Sequence, residues 1–312
     1  MKHLISIDEL GRDDVELLLE RAASFSEVAN REIKKVPALR GRTVLTLFYE
    51  ASTRTRSSFE LAAKRLSADI VSFSAGGSSV EKGESLKDTV LTLAAHSPDA
   101  IVVRAPWAGT PQLVSQWTDA AIVNAGDGKR EHPTQALLDL FTMRQQLGAD
   151  LEGRSVWIVG DVAHSRVARS LIRILVLTGV HVTVCGPPTL IPKDIAALGC
   201  DVTFDMSGIH DADVVYTLRL QHERMTAAGL LPSLGEYAAQ YQVNSARLSP
   251  NQGVMHPGPV NRGVEMSGEV VDSPQAVITM QVKAGVVVRM AVLYELLAGA
   301  RSDVAAKERI HA

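Results

Sequence analysis

Thr43-Val44-Leu45-Thr46-Leu47-Phe48, followed at once by Tyr49-Glu50-Ala51-Ser52-Thr53-Arg54-Thr55-Arg56, contains the transition that decides the fold. Six apolar or β-branched residues bounded by a polar turn predict a fully buried strand. From residue 54 to 66 the period changes, with Phe59, Ala62, Ala63 and Leu66 on one helical face. A strand entering a helix through a short turn is half of a βαβ unit, and the pattern repeats. Strands are predicted at 69–74, 101–103 and 122–123. Ser85-Leu86-Lys87-Asp88 resembles a capping box, and Pro133 suits the first turn of a helix reaching about Leu147. The alternation restarts with strands at 156–159, 181–184, 214–216 and 253–255, and a helix at 165–178. A long helical pattern from Pro274 to Ala298 follows. Strands alternating with helices predict an α/β protein of two domains, each a mostly parallel sheet flanked by helices, joined by long interdomain helices.

Composition fits this picture. The 312 residues are 46% hydrophobic and 21% charged, as in a globular protein of two ordinary domains. Only 4% are aromatic, so the cores must be aliphatic. A net charge of −3 argues against a nucleic-acid partner. No apolar run is long enough to span a bilayer, and the opening residues do not resemble a signal peptide. The two cysteines, Cys185 and Cys200, form neither a disulfide framework nor a zinc site. The expectation is a cytoplasmic protein without a membrane partner.

The candidate functional residues all follow predicted strands, where open α/β sheets bind ligands. Ser52 and Thr53 can cap the helix that they open, leaving backbone N–H groups directed outward. Arg54 and Arg56 in that first turn oppose the helix dipole, a cost that an anion would offset. Arginine also matches phosphate oxygens in geometry. Ser78 to Ser85 forms a polar, glycine-flanked loop. Arg104 ends one strand. A glycine-rich turn from Asn124 carries His132 and Gln135 to a helix start, and His132 can donate to a carbonyl oxygen. In the second half, Gly160-Asp161 with Ser165-Arg166, Arg219-Leu220-Gln221 and His256-Pro257-Gly258-Pro259 follow strands in turn. The segment 155–190 invites a nucleotide-dependent dehydrogenase as an alternative, but it lacks the glycine fingerprint.

Together these segments resemble the aspartate and ornithine carbamoyltransferase family, over about Phe48 to Leu296. Ser52-Thr53-Arg54-Thr55-Arg56 is the family's phosphate turn. Three segments are similar to the aspartate branch: Ser79-Val80-Glu81-Lys82-Gly83-Glu84, Arg219-Leu220-Gln221-His222-Glu223-Arg224 and His256-Pro257-Gly258-Pro259. Ornithine enzymes typically carry His-Cys-Leu-Pro at the last position. Asn261-Arg262-Gly263-Val264-Glu265 looks like bacterial forms without a dedicated regulatory chain.

The resemblance implies transfer of the carbamoyl group from carbamoyl phosphate to L-aspartate, giving N-carbamoyl-L-aspartate and phosphate in de novo pyrimidine biosynthesis. It implies a carbamoyl-phosphate-binding domain of residues 1–133 plus a C-terminal helix at about 288–312, and an aspartate-binding domain of residues 134–287. Ser52, Thr53, Arg54 and Thr55 would bind the phosphate. Thr55, Arg104 and His132 would contact the carbonyl oxygen, so that Thr55, Arg104, His132 and Arg54 carry the catalysis. Gln135 and the carbonyls of Pro257 and Gly258 would hold the carbamoyl NH2, with Pro259 shaping the turn. Lys82, Arg166 and Arg219 would bind the aspartate carboxylates, with Gln221 nearby. Ser79 and Lys82 would enter a neighbouring subunit's site, giving a homotrimer with shared active sites. Association with dihydroorotase or a regulatory chain is an alternative to a trimer standing alone. No metal or organic cofactor is implied. Arg54, Lys82, Arg104, Arg166 and Arg219 supply five cations for two anionic reactants. Departures are Ala105, where many relatives have histidine, with Trp107 and Lys129-Arg130 nearby. A relative that uses ornithine, or a catalytically silent scaffold, is the remaining alternative.

Overall fold

In the computed structural model, residues 1–74, 83–220 and 233–299 are described. The chain forms two compact units, Met1–Thr134 with Ala284–Ala312, and Gln135–Lys283.

The first unit opens with a 3₁₀ turn and α1 (Arg12–Ala29). Then come β1 (Thr43–Phe48), α2 (Thr53–Arg65), β2 (Asp69–Ser74), α3 (Leu86–Ala94), β3 (Ala100–Ala105), α4 (Thr110–Ser115) and β4 (Ala121–Asp127). The strands form one parallel sheet in the order β2-β1-β3-β4. Successive strand residues point to opposite faces. Leu45 and Leu47 therefore join Ile101, Val103, Ile122, Val90 and Val114 in one core cluster. Val44, Phe48, Phe59, Ala62 and Ala63 are also buried. Burial on both faces is why β1 reads as a continuous apolar run.

α5 (Pro133–Leu147) leads into the second unit. There follow β5 (Ser155–Val159), α6 (Arg166–Leu177), β6 (His181–Cys185), β7 (Asp201–Thr203), β8 (Val214–Thr217), α7 (Leu234–Tyr241), β9 (Gly253–Met255), α8 (Gly268–Asp272) and α9 (Ile278–Tyr294). The sheet is parallel, ordered β7-β6-β5-β8-β9. Trp157, Val159, Val215, Val254, Tyr237 and Met266 share its main core. Cys185 and Cys200 are buried and free, and burial pushes the Cys185 thiol up to about 12.

The helical pattern expected from Pro274 starts later, at Ile278. Gln275 and Val277 instead bond to β9: Val254 N–H donates to the Gln275 carbonyl at 2.8 Å, and Val277 N–H to the Val254 carbonyl at 3.0 Å. Backbone pairing with an existing strand captures these residues before the helix can begin. At the far end, a π-helical turn occupies Glu295–Gly299. Among the described residues, no helix is long and apolar enough to cross a membrane.

Candidate active site

In the first unit, neighbouring strands β1, β3 and β4 end in the segments that carry Ser52 to Thr55, Arg104 and His132. The strand order reverses between β1 and β3, the crevice where open α/β sheets take ligands.

α2 begins as its sequence predicts, but not through a hydroxyl cap. Ser52 is the extended N-cap residue, and its side chain makes no capping bond. The first intrahelical bond runs from Arg56 N–H to the Ser52 carbonyl at 3.0 Å. The helix itself therefore supplies no acceptor to the N–H groups before Arg56. No acidic residue stands in the first turn. Thr55 is buried, whereas Thr53 and Arg54 are exposed. Arg56 lies over the Phe48 ring, 5.2 Å from its centroid, so its cation packs back onto the strand.

Arg104 is held from two sides. One Nη donates to the Ala125 carbonyl at 2.9 Å, and Nε lies 3.5 Å from Glu50. Two anchors on a planar guanidinium set its plane. Next to it Tyr49 N–H donates to the Arg104 carbonyl at 2.8 Å, and the Tyr49 ring meets Trp107 at 5.7 Å. His132 is 4% exposed.

The turn that delivers His132 is fixed by buried polar groups that the sequence did not single out. Asp127 accepts from Asn124 Nδ2 (2.9 Å), the Glu131 N–H (3.1 Å) and the Gly109 N–H (2.8 Å). Asn124 also donates to the Ile5 carbonyl at 2.9 Å, and Glu131 accepts from Ser6 at 2.9 Å. Only Asn124, Asp127 and Glu131, set among glycines directly after an apolar strand, hinted at this.

Gly128 sits inside the same turn with φ +51°, and a Cβ there would lie 2.8 Å from the Ala108 nitrogen and 3.0 Å from the Pro106 oxygen. Both obstacles are backbone, so the loop must move. Gly128→Ala is expected to cost about 2–4 kcal/mol, combining a left-handed conformation with overpacking. That corresponds to a melting temperature lower by about 5–15 °C. An unchanged thermal melt would show that the turn yields freely.

In the second unit, the neighbouring strands β5, β8 and β9 end in the segments carrying Arg166, Arg219 and Pro257-Gly258-Pro259. Ser165 caps α6, accepting from Ala168 N–H at 3.1 Å. Arg166 is the next residue and is only 3% exposed. A buried cation at a helix N-terminus opposes the dipole and loses hydration. Arg219 is half-buried. Asp161, wholly buried, is engaged by His164 at 2.8 Å.

The turn after β9 is fixed from within. Gly258 N–H donates to His256 Nδ1 at 2.8 Å. The other ring nitrogen therefore carries the proton and faces Glu265 at 3.2 Å. Glu265 also accepts from Asn261 N–H at 2.6 Å. Gly258 has φ +67°, and a cis peptide joins it to Pro259. Gln135, on α5, donates to Asp139 at 3.0 Å. Ser79, Lys82 and Gln221 lie outside the described residues.

A family model for the carbamoyl-phosphate-binding domain of aspartate/ornithine carbamoyltransferases matches residues 2–145, and one for the Asp/Orn-binding domain matches residues 152–296. The chain belongs to the aspartate/ornithine carbamoyltransferase family. This carbamoyltransferase is 52% identical to the aspartate carbamoyltransferase catalytic subunit of Acidothermus cellulolyticus, over 98% of this chain and 96% of that one. It is 55% identical to that of Salinispora arenicola, over 96% and 99%. Among solved structures, the aspartate transcarbamoylase of Trypanosoma cruzi in complex with N-(phosphonacetyl)-L-aspartic acid superposes with a TM-score of 0.86. The two are 34% identical, over 95% of this chain and 96% of that one. The M. jannaschii catalytic subunit gives 0.84 at 35% identity, over 95% and 98%. The two parallel sheets of the carbamoyltransferase agree with that likeness, and with the α/β architecture expected from sequence.

Proposed function

We propose that this carbamoyltransferase transfers the carbamoyl group of carbamoyl phosphate to the amine of L-aspartate, releasing N-carbamoyl-L-aspartate and phosphate for de novo pyrimidine synthesis. The observation that carries the choice of aspartate is the pair Arg166 and Arg219 at the ends of neighbouring strands β5 and β8. Two arginines suit a dicarboxylate. The side-chain amine of ornithine would instead need an acidic partner, and Asp161 is occupied by His164. The relatives at 52% and 55% identity support the same choice.

The chemistry needs few groups. The first turn of α2, with Ser52, Thr53, Arg54 and Thr55, receives the phosphate. The aspartate nitrogen attacks the carbamoyl carbon, and negative charge grows on the carbonyl oxygen. Thr55, Arg104 and His132 stabilise that charge. Gln135 and the carbonyls of Pro257 and Gly258 accept from the carbamoyl NH2, with Pro259 completing the turn. The C–O bond to phosphate then breaks, phosphate leaves with the electron pair, and it takes the amine proton. Holding the two reactants in position supplies roughly 7–11 kcal/mol. Arg166, Arg219, Lys82 and Gln221 bind aspartate. The reading extends to a cytoplasmic homotrimer in which Ser79 and Lys82 serve a neighbour's site, supported by the family resemblance of the segment Ser79 to Glu84.

The test is turnover with carbamoyl phosphate and either acceptor. Carbamoyl aspartate should form rapidly, and citrulline at a rate lower by about 10⁴-fold or more, because ornithine lacks the second carboxylate that a site with two arginines is suited to bind. Ornithine as the better substrate would overturn the assignment.

A further inference from the structure

Asp139 lies one turn after Gln135 on α5 and is wholly buried. One of its oxygens accepts from Gln135 Nε2 at 3.0 Å and from Gln281 Nε2 at 2.7 Å. The other accepts from the Tyr216 hydroxyl at 2.8 Å. Gln281, on α9 and 3% exposed, turns its own oxygen to the His256 N–H at 3.0 Å. A single carboxylate thus connects Gln135 with the backbone immediately before Pro257-Gly258.

We propose that Asp139 is a positioning residue that makes the carbamoyl-amide subsite present acceptors only, so that an acyl phosphate bearing NH2 is selected over one bearing methyl. The inference rests on the reading that Gln135 and the Pro257 and Gly258 carbonyls hold the carbamoyl NH2.

The argument is one of donors and acceptors. A side-chain amide can face either way, and its orientation follows from its partners. The His256 N–H can only donate, so Gln281 must turn its oxygen there and its NH2 toward Asp139. The carboxylate can only accept, so Gln135 must also give it NH2. The oxygen of Gln135 is thereby turned away from Asp139. Tyr216 keeps its proton, because burial first and the neighbouring Asp139 second push its hydroxyl well above the ordinary tyrosine range. It therefore donates too. The network presents the Gln135 oxygen as an acceptor and sets the chain entering the 257–258 turn, whose carbonyls are also acceptors. Hydrogen bonds of His256 to Gly258 and Glu265 hold that turn from its other side. An NH2 group satisfies such a site, whereas a methyl group of the same size leaves its acceptors unpaired.

The test uses the full chain, with carbamoyl phosphate as substrate and acetyl phosphate as competitor. Asp139→Leu removes the acceptors at similar volume. It is expected to lower kcat/KM for carbamoyl phosphate by about 10–100-fold, the loss of one or two well-placed hydrogen bonds. The inhibition constant of acetyl phosphate should change by less than about 3-fold, since methyl uses none of those bonds. Asp139→Asn, which can still offer one oxygen to both glutamines and its NH2 to the Tyr216 oxygen, should lose much less. Equal weakening of both ligands, or no change in either, would overturn the proposal. Should Asp139→Leu not fold, Gln281→Met cuts the link to His256 with the carboxylate in place, and it must narrow the same preference or the proposal fails. Gln135→Ala separates the two levels. If it leaves the preference intact, the reading of Gln135 itself is wrong and the inference falls with it. If it narrows the preference while the Asp139 and Gln281 variants do not, only the inference falls.

Discussion

Replacing Arg104 with alanine is expected to lower kcat by about 10²–10³-fold, the loss seen when one donor to a developing oxyanion is removed. The side chain is preset: the Ala125 carbonyl and Glu50 hold its guanidinium before any substrate arrives. Preset dipoles need no reorganisation as charge develops, so the loss should fall on kcat more than on KM. Arg104→Lys keeps the charge but not the planar fork, and should recover only part of the rate. Steady-state kinetics with a thermal melt as control decides the matter. Near-normal turnover in a folded Arg104→Ala protein would remove Arg104 from the mechanism.

Arg166→Ala should act on the other reactant. Arg166 is almost fully buried at the start of α6, so a carboxylate that reaches it would be largely desolvated. Removing one partner of such a pair costs about 2–5 kcal/mol, or roughly 30- to 4000-fold in kcat/KM for aspartate. Carbamoyl phosphate binding, measured without aspartate, should change little, because its phosphate is assigned to the α2 turn. A loss of carbamoyl phosphate affinity equal to that of aspartate would show that Arg166 is misassigned.

Much of this arrangement was legible in the chain before any coordinates. β1, β2 and α5 stand within the bounds that their apolar runs and flanking residues imply; for β1 this is because a strand buried on both faces leaves an unbroken apolar signal. Strand ends are where ligands collect in this fold class, so Arg104, Arg166 and Arg219 could be picked out by position alone. Other features were harder to see. β7 is three residues long with an exposed start, and Asp201-Val202-Thr203 has no apolar run to reveal it. α1 repeats Val15, Leu18, Leu19, Ala22 and Phe25 at helical spacing, a signal that is present in the sequence. The hydroxyl of Ser52 was expected to cap α2 and does not, since a residue type at the N-cap does not fix its rotamer. Asp139 was invisible for a different reason. Its partners Tyr216 and Gln281 lie 77 and 142 residues away, and only the fold brings them to one carboxylate.

The Tyr49–Trp107 pair beside Arg104 has a practical consequence. The chain holds three tryptophans. Trp157 is buried in the core of the second unit, and Trp117 packs against the core of the first. Trp107 alone of the three is largely exposed, at 56%, three residues after Arg104. The segment that follows Arg104 thus carries its own fluorophore, and the solvent-exposed share of the tryptophan emission reports on it with no label attached.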